Sequence, residues 1–370
     1  MKEDFYDVFS IAKRLNNPKR DYLIVNRRQG KHVPILPAVF FDMTERLADK
    51  IAQNYSDVKI VVGFAETATA IGAVIAKKFD GYYYHTTREE CGEEARVDFT
   101  EDHSHATEQR LYVKGFKEAL DGSDAIVFVD DEITTGRTFL NMLSQLEKIF
   151  PSLKDKKIVL ASILDRVEEE NAERLKKSGV ECVSLFKGNG ENFSRKIASC
   201  AAFAPSITTC EAKAQVKTLF LPLLTPRLGV KASEYHRRCV EVAETLCGET
   251  TFDNKNICVL GTEECMYPAL VAADVISRRF PSCKVRSHST TRSPIMISEE
   301  EGYPLFNGYR INSFYEEGRI NYIYDIRSYD LVILITDSHD YNVQAEKDIL
   351  NVFGSYGCRE FVIVRGEQNV

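Results

Sequence analysis

The stretch that decides the fold is IVFVDDEITTGRTF, residues 126–139. A run of β-branched and aromatic residues predicts a buried strand, and it ends in two adjacent acids, Asp130 and Asp131. A loop of small and polar residues then opens a helix, where backbone N–H groups and the helix dipole favour a bound phosphate. The residues of this loop are Thr134, Thr135, Gly136, Arg137 and Thr138. The two carboxylates are suited to accept hydrogen bonds from a sugar diol or to hold Mg²⁺ through hydroxyls or water.

Strands and helices alternate on both sides of this stretch, which predicts a doubly wound α/β domain with a parallel sheet. Hydrophobic spacing predicts helices near 38–52, 68–75 and 138–150, and strands near 58–62, 81–85, 125–129 and 157–164. The pattern breaks around Pro205, Pro222 and Pro226, after which helices near 235–246 and 267–278 alternate with strands near 257–260 and 331–335. We therefore predict a first domain over 1–205, a linker over 206–230 and a second α/β domain over 231–370.

Residues 88–110 differ from their surroundings, because they are highly charged and show no sustained hydrophobic period. Val97 and Phe99 are almost the only apolar anchors, so the stretch predicts a mobile lid. Its candidate chemical groups are Glu101, His103 and His105. Histidine donates protons near neutral pH, although an exposed polar loop has the same composition. Metal binding by the two histidines has little support, since no third ligand is in view.

The two halves of the chain repeat a series of landmarks. Gly63-Phe64-Ala65-Glu66 corresponds to Gly261-Thr262-Glu263-Glu264, and Thr86-Thr87-Arg88 corresponds to Thr290-Thr291-Arg292. The strand that ends at Asp131 corresponds to one that ends at Asp337, and Gly30 to Gly229. The order and near-equal spacing indicate a duplicated unit whose second copy has lost the acidic pair and the phosphate loop.

Composition narrows the classes of function. The 370 residues carry 48 Lys and Arg against 55 Asp and Glu, a net charge of −7, which argues against nucleic acid as a partner. The apolar stretches are too short to span a bilayer. The 10 cysteines form no C-x-x-C pair, so isolated thiols in a reducing compartment are expected. We therefore expect a cytoplasmic protein that acts on a small molecule.

The stretch 126–139 resembles the phosphoribosyl pyrophosphate (PRPP) binding motif of type I phosphoribosyltransferases. The resemblance implies that Asp130 and Asp131 contact the ribose hydroxyls and that residues 134–138 hold the 5-phosphate. It assigns pyrophosphate to the loop after the first strand and to the arginine after the next, namely Ala65, Glu66, Thr67, Ala68 and Arg88. One departure is Arg137, where the family often has glycine. The lid corresponds to the family's flexible loop, and the acceptor base is expected under a hood containing Arg28, Lys31 and His32.

A narrower resemblance covers most of the chain. RRQGKHVP at 27–34, GFAETATAIG at 63–72, HTTRE at 85–89 and STTRSPI at 289–295 resemble a bacterial family in which a phosphoribosyltransferase domain precedes a domain named for Thr-Arg-Ser-Pro. That family is associated with tellurite-resistance and stress-response gene clusters. The resemblance thus implies a Mg²⁺-dependent pentosyltransferase that makes a nucleotide-like metabolite from PRPP and a base-like acceptor, as a homodimer.

Two alternatives stay open at this point. The chain could be a PRPP-binding regulator that has lost efficient catalysis, although a long lid favours an enzyme. The second domain could also hold a cleft of its own, lined by Glu263, Glu264, Thr291, Arg292 and Asp337, or it could be a structural partner with an inherited cleft.

Overall fold

The structure is a computed structural model that describes residues 4–17, 20–100, 108–188 and 191–366. Glu101, His103 and His105 lie outside these ranges, so their proposed roles stay predictions. Among the described helices, none is both long and apolar enough to cross a membrane.

The helices and strands predicted up to the proline-rich break are all present, together with elements that the hydrophobic pattern did not predict. In chain order they are α1 (Phe5–Val8), β1 (Phe9–Lys13), β2 (Tyr22–Asn26), α2 (Pro37–Ala52), β3 (Val58–Gly63), α3 (Thr69–Phe79), β4 (Tyr82–His85), β5 (Arg96–Thr100), β6 (Glu108–Tyr112), α4 (Phe116–Asp121), β7 (Ala125–Ile133), α5 (Arg137–Ile149), β8 (Lys157–Asp165), α6 (Glu169–Lys177), β9 (Val180–Lys187) and α7 (Ser194–Ala198). Helix α5 shows why: Phe139, Leu143 and Leu146 fall on one stripe, and all three are buried.

A six-stranded sheet organises this half; with β11 denoting Val230–Lys231, its order is β11-β4-β3-β7-β8-β9. Within this sheet, strands β4, β3, β7, β8 and β9 run parallel to one another. Strand β7 is buried along residues 125–129, as expected for a central strand covered on both faces. The described part of the predicted lid contains regular structure, because β5 and β6 are the strands of an antiparallel hairpin over 96–100 and 108–112. Val97 and Phe99 anchor it in the hydrophobic core, which explains why these two apolar residues interrupt a charged stretch.

The second half forms a five-stranded parallel sheet in the order β10-β17-β16-β12-β13. Its elements are β10 (Gln215–Leu221), β11 (Val230–Lys231), α8 (Ala232–Glu249), β12 (Asn256–Gly261), α9 (Tyr267–Arg279), β13 (Lys284–Ser289), β14 (Gly308–Asn312), β15 (Ile320–Tyr324), β16 (Leu331–Thr336), α10 (Val343–Ser355) and β17 (Glu360–Gly366). Of these, β11 belongs to the first sheet, where it pairs antiparallel with β4. The chain is thus an α/β protein with two parallel sheets, as predicted.

Packing groups the chain into two compact units that are discontinuous in sequence. One contains 41–191 and 225–237, and the other contains 1–40, 192–224 and 238–370. This grouping differs from the boundaries 1–205, 206–230 and 231–370. The expected linker contains β10, a strand of the five-stranded sheet, and β11 begins where that linker was expected to end.

The two halves share backbone hydrogen bonds as well as sequence landmarks. In the first half, Thr86 N donates to Gly63 O (2.9 Å) and Ala65 N donates to Thr86 Oγ1 (2.8 Å). In the second half, the corresponding bonds run from Thr290 N to Gly261 O (3.0 Å) and from Glu263 N to Thr290 Oγ1 (3.0 Å). The hairpins match too: Thr87 exchanges backbone bonds with Arg110 on β6, and Thr291 does so with Tyr322 on β15. The two halves therefore share this local backbone arrangement, and a common origin by duplication stays a prediction.

Candidate active site

The candidate site lies where the chain order of the first sheet reverses. Strand β3 is flanked by β4 on one side and by β7 on the other. In open parallel sheets, such a switch point leaves a crevice at the carboxyl ends of the strands, and ligands bind there. The loop after β3 and the acidic pair near the carboxyl end of β7 meet at this point. The structure thus brings together two groups of residues that the sequence separates by about 60 positions.

The acidic pair sits at the crevice and is tied to the loop after β3. Thr67 Oγ1 donates to Asp131 Oδ1 (2.8 Å), and Asp131 N donates to Asp130 Oδ1 (2.8 Å). Burial, followed by the charge of Asp131, raises the pKa of Asp130 well above its ordinary value. Burial, followed by the charge of Glu132, also raises the pKa of Asp131. Two crowded carboxyls of this kind favour a ligand that brings hydroxyl donors or a cation.

The loop after β7 forms an open helix N-terminus. Gly136 precedes α5 with a φ of 67°, and no side chain caps the helix there. A Cβ at this position would lie 2.8 Å from Leu175 Cδ2, so only glycine fits. Arg174 Nη2 donates to Thr135 O (2.8 Å) and holds the loop from α6. Thr135 Oγ1 accepts from Arg137 N (3.3 Å), and the dipole of α5 favours an anion at this N-terminus.

The loop after β3 is held open by side chains on two neighbouring elements. Besides the bond from Ala65 N to Thr86 Oγ1, Gln109 Nε2 donates to Ala65 O (3.3 Å). Gln109 is buried on β6, next to Arg110, whose Nη1 donates to Arg88 O (2.6 Å). The hairpin β5–β6 therefore fixes both parts of the expected pyrophosphate site, the loop after β3 and the residue after Thr87.

Arg227 is a residue of this site that sequence reasoning missed. It is only 3% exposed, and its Nε donates to Thr87 Oγ1 (3.3 Å), directly before Arg88. The segment 225–237 reaches this point because β11 pairs with β4 and because Gly229 packs against the ring of Tyr84 with no space for a side chain. The sequence offered one signal, the correspondence between Gly229 and Gly30. This correspondence does not indicate which strand or side chain each glycine lies against.

The hood residues have different surroundings from those expected. Lys31 is fully buried in the unit that contains residues 238–370, and its Nζ donates to the carbonyl oxygens of Glu263 (2.8 Å) and Thr290 (2.9 Å). Its ammonium group is therefore engaged by backbone and is not an open contact for a base. His32 is also buried, whereas Arg28 is half-buried. The acceptor-binding roles of Arg28 and His32 stay predictions.

Both halves of the chain match known families. Residues 8–189 match a family described as phosphoribosyl transferase, and residues 224–353 match the TRSP domain that follows it. Over 141 residues the chain is 28% identical to hypoxanthine/guanine phosphoribosyltransferase of Methanopyrus kandleri, covering 37% of this chain and 71% of that protein.

Solved structures show more distant likenesses. The adenine phosphoribosyltransferase of Giardia lamblia, complexed with 9-deazaadenine, has 11% identity and a TM-score of 0.36 over 50% of this chain and 96% of its own. The orotate phosphoribosyltransferase of Aeropyrum pernix has 18% identity and a TM-score of 0.30 over 52% of this chain and 94% of its own.

The first half is therefore a phosphoribosyltransferase domain. Strand β7, its acidic pair and the loop that follows it indicate the same class of protein. The chain belongs to the two-domain family in which a phosphoribosyltransferase domain is followed by a TRSP domain. As an enzyme, it falls among the pentosyltransferases.

Proposed function

We propose that the chain transfers the phosphoribosyl group of PRPP to a nucleobase-like acceptor, with release of pyrophosphate, or catalyses the reverse reaction. The observation that carries the proposal is the junction of β3 and β7. There the Thr67–Asp131 hydrogen bond joins the loop after β3 to an acidic pair and an uncapped helix N-terminus. These three elements suit the three parts of PRPP, namely pyrophosphate, ribose diol and 5-phosphate.

The acidic pair is proposed to bind the ribose. Ionised carboxylates accept hydrogen bonds from both hydroxyls of a diol, and they stabilise positive charge that develops on the sugar ring. The raised pKa values of Asp130 and Asp131 mean that the free site holds a proton more tightly than an exposed pair would. PRPP binding is therefore expected to release that proton as the hydroxyls and the cation engage the pair.

The transfer itself exchanges one bond at the anomeric carbon. The bond from C1 to the pyrophosphate oxygen breaks, and a bond from C1 to an acceptor nitrogen forms on the opposite face. The electron pair of the broken bond leaves with pyrophosphate, and the acceptor nitrogen loses its proton. Arg88 and the loop after β3 are proposed to hold the leaving group, and hairpin β5–β6 is proposed to exclude water that would otherwise hydrolyse PRPP.

Mg²⁺ fits the donor set of this site. Asp130 and Asp131 offer the oxygen ligands that Mg²⁺ prefers, and a Mg²⁺ ion bound to one or two carboxylates takes its remaining ligands from phosphates and water. When bound, the ion neutralises the charge of the pyrophosphate group. Among the described residues, no cluster of three or more acidic, His or Cys side chains forms a dedicated metal cage.

Calorimetry with Mg²⁺-PRPP tests the proposal. The wild type is expected to bind one equivalent, and the double variant Asp130→Asn, Asp131→Asn is expected to bind none while its circular dichroism is unchanged. Failure of the wild type to bind Mg²⁺-PRPP, with or without a panel of purine and pyrimidine bases, would contradict the proposal.

A PRPP-binding regulator is the second candidate. It is distinguished by pyrophosphate release: a transferase bound to PRPP releases pyrophosphate with one base of the panel, whereas a regulator binds PRPP and releases none. Hairpin β5–β6, which bonds to the loop after β3 through Gln109, favours the transferase, because a sensor has no need to exclude water. The link to stress response and tellurite resistance, the homodimer and the cytoplasmic location stay predictions.

A further inference from the structure

The second half holds a buried cluster of charged side chains at the position that corresponds to the candidate active site. Strand β12 is flanked by β13 on one side and by β16 on the other, so the five-stranded sheet also has a switch point at its carboxyl edge. The cluster lies on the loop after β12, on the residue after Thr291, and on hairpin β14–β15. Its charged members are Glu263, Glu264, Arg292 and Arg319.

One of the differences between the two loops bears directly on anion binding. Counting from the glycine that ends each strand, Glu263 takes the place of Ala65, and its backbone N–H makes the same bond to a threonine hydroxyl. Its side chain therefore projects from the same backbone position as the methyl group of Ala65. In the first half, this loop faces the proposed pyrophosphate; in the second half, it carries a carboxylate of its own.

The Glu263 carboxylate is bound as a ligand anion is bound in a protein site. Its side chain is 1% exposed. Ser313 Oγ donates to Oε1 (2.6 Å), Arg319 Nη2 lies 3.3 Å from Oε2, and Arg292 Nε lies 3.9 Å from Oε2. Arg292 corresponds to Arg88, and hairpin β14–β15, which holds Ser313 and Arg319 at its ends, corresponds to hairpin β5–β6. The carboxylate thus accepts a hydrogen bond from Ser313 and lies between two guanidinium groups, whose positive charge it offsets as a bound anion would.

The other two parts of the second site are filled as well. Helix α10 is capped by its own Asn342, whose Oδ1 accepts from Gln344 N (2.9 Å), whereas Gly136 leaves α5 uncapped. The hydroxyl of Tyr315 bonds to the carboxylate of Asp337, the residue that corresponds to Asp131. Side chains of the chain therefore occupy the places that correspond to the phosphate loop and to the acidic pair.

We infer that the second half is a self-occupied copy of the site, an anion-binding cleft whose resident anion is the carboxylate of Glu263. The Thr-Arg-Ser-Pro motif then serves as a lock: Arg292 binds Glu263 and Glu264 instead of a substrate phosphate, with Nη2 3.1 Å from Glu264 Oε1. The ammonium of Lys31 fixes the same loop through the carbonyl of Glu263. The chain accordingly has one PRPP-type site, and its second cleft opens to phosphate only when Glu263 is removed.

Removing the carboxylate tests the inference in the full chain. Glu263 has a φ of 47°, a left-handed conformation that glycine adopts without strain, so Glu263→Gly deletes the side chain at the lowest backbone cost. Inorganic pyrophosphate is titrated by calorimetry. The variant is expected to bind one equivalent of pyrophosphate more than the wild type, because Arg292 and Arg319 then lack the carboxylate that lies between them, although each keeps one further acidic partner. Adding Arg292→Gln to the variant is expected to remove the extra equivalent.

The possible outcomes distinguish this inference from the proposed function. Only the binding of one equivalent of pyrophosphate by the wild type depends on the proposed function. A wild type that binds no pyrophosphate counts against the proposed function, yet an equivalent gained by the variant still supports the lock. A folded variant with the wild-type stoichiometry, or a wild type that already binds two equivalents, overturns the inference. Should Glu263→Gly fail to fold, Glu263→Gln keeps the volume and removes the charge. Its melting temperature is expected to rise more with pyrophosphate than that of the wild type, and an equal rise overturns the inference.

Discussion

The guanidinium of Arg227 donates from Nε to Thr87 Oγ1 across 3.3 Å, joining the start of the stretch that matches the TRSP domain to the loop after β4. Nη1 of the same arginine donates to Thr225 Oγ1 (3.3 Å). Thr87 Oγ1 also accepts from Glu89 N (3.0 Å). The hydroxyl of Thr87 thus fixes the turn around Arg88 from both directions, and Arg227 acts as a positioning residue for the proposed pyrophosphate site.

Arg227→Ala is expected to weaken pyrophosphate and PRPP binding about tenfold, since a hydrogen bond to a charged group contributes about 1.5–3 kcal/mol. Calorimetric dissociation constants measure the effect. Arg237→Ala is the matched control, because Arg237 lies in the same segment, is half exposed and pairs with Glu234 on its own helix. Equal affinities for Arg227→Ala and the wild type would count against the positioning role.

Asp130→Asn is expected to stabilise the free protein at neutral pH while it abolishes PRPP binding. The raised pKa means that the folded protein holds this proton more tightly than the unfolded chain does. Wild-type stability therefore falls as pH rises above the ordinary value of 3.8 and through the raised pKa. The variant does not lose stability in this way. The difference between its free energy of unfolding in urea and that of the wild type should therefore grow as the pH rises across that window. Exposed Asp121→Asn is the control, and an advantage that shrinks with rising pH would refute the prediction.

Gly136→Ala is expected to destabilise the protein and to weaken PRPP binding at least tenfold. The new methyl would lie 2.8 Å from Leu175 Cδ2, and the residue would keep a φ of 67°. Gly179→Ala isolates the backbone cost, because Gly179 has a φ of 72° and no atom within 4 Å of an added Cβ. The control should lose about 1–2 kcal/mol in chemical denaturation and bind normally. Comparable binding losses in both variants would mean that Gly136 has no special role.

Ala65→Glu is expected to introduce into the first half the lock that Glu263 forms in the second. A carboxylate at this position would compete with the leaving group for Arg88, so PRPP affinity should fall by more than tenfold. Ala65→Gln has nearly the same volume without the charge and should retain more of the affinity. Competition titrations with pyrophosphate measure both variants, and identical losses would show that bulk rather than charge is responsible.

The sequence predicted the strands and helices because buried parallel strands such as β7 are continuous apolar runs and because helices such as α5 show a clear stripe. It also placed Asp130 and Gly136 at one crevice, since the carboxyl ends of parallel strands share an edge. Hairpin β5–β6 was missed because Val97 and Phe99 are the main apolar residues of the charged stretch, and Leu111, which packs in the same core, lies just beyond it. The surroundings of Lys31 and Arg227 were missed for another reason: each is set by pairing with strands far along the chain, Ile35 with Ser287 and Val230 with Tyr83. Such short pairings leave no periodic signal.

The discontinuous units impose an order on biosynthesis. While the ribosome makes residues 1–40, the strands that they pack against have not been synthesised, and β4 emerges long before β11 does. Until residues 225–237 emerge, the nascent chain therefore carries an unpaired sheet edge, which is a template for aggregation. Contacts between distant segments also slow folding. The first domain is thus expected to complete its folding only after residues 225–237 have been synthesised. Until then it is expected to depend on chaperones that shield the edge of β4.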